Sequence, residues 1–188
     1  LVNIYGIILP PYGLFFNAQR DNLQLIYKSP PLCAMLKAAI SYKRKDVRAM
    51  KRREQLIRHW FAMWLTGSSH GIEDIFAEDC IYTESWGPEY HGITQIQHWF
   101  TEWNTRGCVL QWDIQRFFHS DEHTIVQWYF KNQMHNGNTE AFDGLSLIRW
   151  TADDKIASLK EFGCNTNTYD PYADGPTPRF RPQDHLWF

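Results

Sequence analysis

The chain has 188 residues, 44% hydrophobic and 16% aromatic with nine Trp, enough to bury a core as one domain and to line a concave site with rings. The net charge of −2 is unevenly spread: residues 1–58 carry 11 basic against 3 acidic groups, residues 59–188 carry 8 against 18. An acidic main body repels phosphate backbones, which argues against nucleic acid as its partner.

Residues 1–49 differ in character from the rest of the chain. LVNIYGIILPPYGLFF is too short to span a bilayer, is broken by Pro10-Pro11, and lacks a basic leader or a small-residue cleavage site. The segment reads as neither signal peptide nor membrane anchor. With Met50 just ahead of the first well-patterned helix, residues 1–49 are expected to be an N-terminal extension, upstream sequence that need not belong to the native domain. The basic run SYKRKDVRAMKRR at 41–53 offers charge to RNA or a membrane surface, and reads more simply as a solvated helical extension.

From residue 50 the pattern is clean. Leu56, Trp60, Met63 and Trp64 recur at helical spacing over 51–66, and Gly67-Ser68-Ser69 ends the helix. A short helix is expected at 71–77 and a strand at Cys80–Ser85. Gly92 precedes a third helix over 93–105, with Ile93, Ile96, Trp99, Phe100 and Trp103 on one face. Four extended runs come next at 109–118, 123–134, 139–150 and 155–163, separated by the breakers His119–Glu122, Asn136-Gly137-Asn138 and Ala152-Asp153-Asp154. Helices first and an antiparallel meander after imply an α+β domain over 50–163, with the helices gathered on one face of a curved sheet. Residues 164–188 form an irregular tail, rich in Pro, Asp and Asn, that keeps Tyr169, Tyr172, Trp187 and Phe188.

The chemistry concentrates between Ile75 and Phe100. Glu84 stands at the end of the first strand with Trp86 beside it, and desolvation among rings raises a carboxyl's pKa towards the range useful for proton transfer. Cys33, Cys80, Cys108 and Cys164 match no CxxC or zinc spacing and read as reduced thiols, placing the protein in the cytoplasm. The eight His contain no HxxxH pair, and His91 with His98 is the nearest approach to one; no metal or cofactor is expected.

The helix, short helix and strand, the YHG turn followed by QIQHWF, and the final FDGLSLIRWTADDKIASLKEF together resemble the nuclear transport factor 2-like superfamily in its SnoaL-like branch, over about residues 51–163. The resemblance implies a cone-shaped domain, three N-terminal helices packed on a curved, mostly antiparallel sheet, often dimeric, in a superfamily that spans isomerases, polyketide cyclases, dehydratases, epoxide hydrolases and proteins without catalysis. Laid on ketosteroid isomerase, FAEDCIYTES matches the segment ending in the catalytic aspartate, which falls on Glu84. The oxyanion-hole tyrosine falls on Trp60 and the protonated aspartate on Ser146, weaker donors than the groups they replace. Two supporting tyrosines fall on Phe76 and Phe100, which have no hydroxyl, so steroid isomerisation of that kind is not implied.

If Ser146 faces inward, strand parity sends Phe142, Gly144, Ile148 and Trp150 inward with it, and by the same register Glu161 enters the cone. Glu84 and Glu161 then share a cavity as acid and base, with Trp60, Tyr82, Trp86, Trp99, Tyr129 and Ser146 as substrate-binding residues and Gln127 as a further polar handle. The alternative for Glu161 is an ion pair at the rim. Asp143 would join the pocket only if Asp-Gly marked a bulge; Asp113 and His98 read as solvent-facing. Two functions are open: a cofactor-independent isomerase, cyclase, dehydratase or hydrolase using Glu84 on an apolar carbonyl- or hydroxyl-bearing substrate, or a non-catalytic ligand-binding or dimeric interaction module. Both have an apolar small molecule or a second copy of the chain as partner, and neither nucleic acid nor membrane.

Overall fold

The computed structural model describes residues 30–181. The chain divides into two units, Leu1–Asp46 and Val47–Phe188. Most of the expected extension, and Trp187 and Phe188 of the tail, lie outside the described residues.

The first helix, α1, spans Pro30–Thr66 and starts well before the expected 51–66. In the first unit it exposes Met35 and Ile40. In the second, Ile57, Trp60, Phe61 and Trp64 form an i, i+3, i+4, i+7 stripe, all buried. Gly67, at φ 66°, turns the chain out of the helix, and the Ser68 N–H closes on the Met63 carbonyl at 3.2 Å. A short α2, Ile72–Ile75, runs directly into strand β1, Phe76–Thr83, so the strand begins four residues earlier than its sequence suggests. A three-residue β2, Glu89–His91, follows, then α3, Ile93–Trp103, burying Ile96, Trp99 and Phe100.

The long strands β3 (Gly107–Ser120), β4 (His123–Met134), β5 (Thr139–Trp150) and β6 (Ile156–Asn165) form the expected meander. The sheet order is β2-β1-β6-β5-β4-β3, antiparallel except where β1 lies parallel to β6. The architecture is therefore α+β, with a curved, mostly antiparallel six-stranded sheet. After β6 the described part of the tail has no helix or strand.

One face of the sheet holds the core. Trp60, Trp128, Trp150, Tyr82, Phe76 and Phe100 are almost wholly buried, each contributing on the order of 2–3 kcal/mol of apolar burial. Parity on β5 is regular: Phe142, Gly144, Ser146, Ile148 and Trp150 are buried, while Asp143, Leu145, Leu147 and Arg149 are exposed. Asp143 pairs with Tyr129 on the outward face, and no bulge turns it inward. Gly144 has a different reason to be glycine. A Cβ at that position would fall inside the Trp128 ring, so the residue allows an indole to lie against the strand.

Arg53 belongs to the basic run expected to be solvated, yet it is largely buried. Its guanidinium pairs with Asp154 at 2.8 Å, donates to the Asp121 carbonyl at 2.7 Å and lies 5.5 Å from the Trp150 ring centre. Asp121 and Asp154 are the two non-Gly described residues with positive φ, so one arginine holds both strained turns. Lys51 and Arg52 remain exposed.

Candidate active site

A cavity of about 1190 Å³ opens between the concave face of the sheet, β2 and α3. Six of the nine Trp line it: Trp64, Trp86, Trp99, Trp103, Trp112 and Trp128. The rings support one another. Tyr90 stacks on Trp99 at 4.4 Å, Trp64 meets Trp103 edge-on at 5.3 Å, and Trp112 meets Phe130 at 5.2 Å.

Glu84 and Glu161 both line this cavity. The register explains why. Tyr82 is paired with Leu159 and Thr83 with Lys160 on the parallel neighbour, so one more step sets Glu84 against Glu161 on the face that buries Tyr82 and Leu159. Just past Glu84 the chain reverses through Gly87, at φ 124°, with the Glu84 N–H bonded to the Pro88 carbonyl at 2.8 Å. That reversal brings two donors onto the Glu84 carboxylate: the Tyr90 hydroxyl at 2.6 Å and the Trp86 indole N–H at 3.1 Å. Trp86 itself is mostly exposed and stands at the mouth.

Glu161 has a different environment. The wholly buried Tyr82 donates its hydroxyl hydrogen to one Glu161 oxygen. Among the described residues, neither Glu161 nor Glu84 forms an ion pair, so the alternative of a rim pairing for Glu161 is not realised.

The electrostatics separate the two acids. Burial pushes the Glu161 carboxyl up to about 8, with the neighbouring Glu84 charge adding to the rise and the Tyr82 hydrogen bond opposing it. Burial also raises Glu84, but hydrogen bonds from Tyr90 and Trp86, and the more distant charge of Arg106, hold it back. Tyr82 is pushed well above its ordinary value by burial and by Glu161, and Tyr90 is raised by burial and Glu84; both stay protonated donors. At neutral pH Glu161 is therefore a neutral acid, beside a carboxyl whose charged form is held by donors.

The remaining expected site residues divide between the cavity and other places. Tyr82 and Trp99 line the cavity. Trp60 does not: it is completely buried beneath, its indole packed against Phe76, Tyr82, Phe100 and Trp64. Ser146 is completely buried as well, and its hydroxyl accepts the Trp128 indole N–H at 2.9 Å. Neither can serve as an oxyanion donor from that place. Tyr129 faces away from the cavity, paired with the outward Asp143, because Val126, Trp128 and Phe130 take the inward parity of β4; Gln127 goes outward with it.

Several cavity residues carry no signal in the sequence. His98 is exposed, as expected, but it lines the cavity mouth with Glu102 and Arg106. Arg106 is held by Glu102 through two bonds, 2.6 and 3.0 Å. At another part of the wall Asn132 donates to Glu140 at 3.0 Å. No cluster of three or more His, Cys, Asp or Glu suited to a metal occurs among the described residues, and no described helix is long and apolar enough to cross a membrane.

Comparison with known proteins adds a family and a fold. The model of the SnoaL-like domain matches residues 57–159, more than half of the chain. No curated protein matches the sequence. Among solved structures, a protein with a ketosteroid isomerase-like fold from Catenulispora acidiphila, in complex with trimethylamine, is 19% identical at TM-score 0.50, over 57% of this chain and 83% of its own. An LEH-like epoxide hydrolase from M. tuberculosis is 8% identical at TM-score 0.54, over 61% and 84%. An NTF2-like protein from Exiguobacterium sp. 255-15 is 18% identical at TM-score 0.52, over 59% and 99%. At these identities the likeness is one of fold.

Proposed function

Because the chain belongs to the SnoaL-like domain family, we propose that its cavity binds a small, largely apolar molecule and performs proton transfer on it. The observation that carries this reading is the adjacent acid pair, Glu84 and Glu161, placed in one aromatic cavity with unequal partners. Glu84 is the general base: two neutral donors hold its carboxylate without taking all of its lone pairs. Glu161 is the general acid, with one oxygen occupied by Tyr82 and the other left to carry a proton towards a substrate oxygen.

On a carbonyl substrate, Glu84 takes a proton from the carbon beside the carbonyl while Glu161 shares or gives its proton to the oxygen. Returning the first proton to another carbon completes an isomerisation. On a hydroxyl-bearing substrate, the same pair removes the C–H proton and protonates the departing hydroxyl, which is dehydration. Isomerisation closes when the oxygen's proton returns to Glu161; dehydration releases water and leaves its proton on Glu84, so exchange through solvent returns a proton to Glu161 before the next turnover.

The test begins with native mass spectrometry of the purified protein, to identify a bound small molecule. On that molecule or its closest reactive relative, Glu84→Gln should lower kcat at saturating substrate by about 10²–10⁴-fold, a loss separate from any change in binding. Undiminished turnover in that variant would remove Glu84 from the role.

A second role rests on a separate observation. Ile125, Leu145, Leu147 and Phe162 are all exposed on the outward face of the sheet, where Ile125 pairs with Leu147 and Leu145 with Phe162. Such a patch is the kind of surface a second copy covers, and we assign it to a homodimer contact. Free Cys80, Cys108 and Cys164 agree with a reducing compartment such as the cytoplasm.

A further inference from the structure

Several of the cavity's donors are committed to its own acceptors: the Tyr82 hydroxyl to Glu161, the Tyr90 hydroxyl and Trp86 N–H to Glu84, the Trp128 N–H to Ser146, and Nε and Nη2 of Arg106 to Glu102. The indole N–H groups of Trp64 and Trp112 are buried out of reach of the cavity surface and have no partner among the described residues. Free donors among the lining residues are the Trp99 and Trp103 indole N–H groups, the Gln95 amide, Arg106 Nη1, rim residues such as Ser85, Thr94 and His98, and the proton on Glu161. Carboxylate acceptors also remain free, because a carboxylate has about four lone-pair sites and Glu84 uses two, while Glu140 uses one towards Asn132.

Charge is lopsided. Three carboxylates line the cavity, Glu84, Glu102 and Glu140, beside the neutral acid Glu161 and against one guanidinium, Arg106, which is already paired with Glu102. Among the described residues, Glu84 and Glu140 have only neutral hydrogen-bond donors. Most of the remaining wall is aromatic, six indoles with Tyr82, Tyr90 and two Phe, and π surfaces attract cations.

We propose that the ligand is an organic cation, a protonated or quaternary amine on an apolar body, whose charge is met by the acidic side of the cavity and whose body is met by the rings. The inference rests on the proposal that the cavity takes a small molecule, and it narrows the class. An anion would meet uncompensated carboxylates.

The experiment compares three probes on one frame at pH 7: 3-phenylpropylamine, 3-phenylpropanol and 3-phenylpropionate, titrated against the full chain by calorimetry and by Trp fluorescence. The amine should bind at least about tenfold more tightly than the alcohol, a margin of ~1.4 kcal/mol, and the propionate should bind most weakly. Glu84→Gln and Glu140→Gln should each shrink the amine's advantage over the alcohol while leaving alcohol binding in place. Folding of each variant is checked by its circular-dichroism melt, and the wild-type ranking decides the matter even if both variants unfold. Alcohol or propionate binding as tightly as the amine would overturn the cation assignment and leave the small-molecule reading standing. An amine advantage unchanged in both folded variants would overturn it too. Binding by none of the three would overturn both.

Discussion

Tyr82 and Glu161 stand on parallel neighbouring strands, and the tyrosine hydroxyl is hydrogen-bonded to the carboxyl across them. This contact holds Glu161's proton less tightly than burial alone would, because a donor favours the charged carboxylate. Tyr82→Phe should therefore raise the Glu161 pKa further above about 8. Leaving a buried carboxyl oxygen without its donor should also cost about 1–3 kcal/mol of stability. Carboxyl ¹³C NMR across a pH series reads the first effect and urea denaturation the second; a Glu161 that titrates with ordinary carboxylates in the wild type would contradict both.

Glu161 also gives the fold a pH dependence of definite sign. Its folded pKa, about 8, lies above the ordinary value of 4.5, so the folded state binds this proton more tightly than the unfolded state. The contribution is full below pH 4.5, is lost as pH rises towards 8, and is constant beyond. Glu161→Gln cannot titrate. Its stability relative to wild type should rise steadily from about pH 5 to about pH 9 in chemical denaturation, and a flat difference would show that Glu161 is not held neutral.

Gly144 is where the Trp128 indole meets the β5 backbone. Gly144→Ala should force the ring to move, stretching its 2.9 Å bond to Ser146 and reshaping the cavity wall. Overpacking of this kind costs about 1–3 kcal/mol. Thermal melts and the Trp emission spectrum should both change; an unaltered melting temperature would mean that the ring has another place to go.

Arg53 ties the turns at Asp121 and Asp154 to α1. Arg53→Met keeps much of the apolar stem over Trp150 and removes the charge, so the loss should be about 1–2 kcal/mol. Hydrogen exchange should rise at residues 120–123 and 151–155. Exchange unchanged in both turns would show that they hold without the arginine.

The outward patch predicts a dimer whose weak point is Leu145 with Leu147. Light scattering on size-exclusion fractions should give twice the chain mass for wild type and the single-chain mass for the Leu145→Lys, Leu147→Lys double variant. A monomeric wild type at tens of micromolar would remove the assignment.

Residue alternation carries most of what is legible in the sequence. On β5 apolar and polar residues take turns, so parity follows from FDGLSLIRW once one residue is placed, and β6 follows through its turn. On β4 the run Trp128-Tyr129-Phe130 is aromatic on both faces, alternation gives no preference, and the sequence alone puts Tyr129 on the wrong side. The expected places of Trp60 and Ser146 rest on analogy with a relative. A bulky indole in place of a phenol fills the floor instead of opening into the cavity, and a serine in place of an acid finds a nearer partner in Trp128. The strand β2 is too short for any period to show, and the first turns of α1 lie in the segment whose change of composition reads as an extension. The polar face of α3 reads as solvated from sequence, since nothing in a helix says that a concave sheet stands opposite its edge.

The parallel pairing of β1 with β6 has a kinetic consequence. Glu84 and Glu161 are 77 positions apart, joined only when the last strand of the meander docks against the first. Long-range pairing of this kind is slow relative to hairpin formation. A chain emerging from the ribosome can therefore build the hairpins β3 to β5 while its two acids are still apart. The acid pair is completed only by the β1–β6 docking, so the appearance of a Glu161 that titrates high would mark that step of folding.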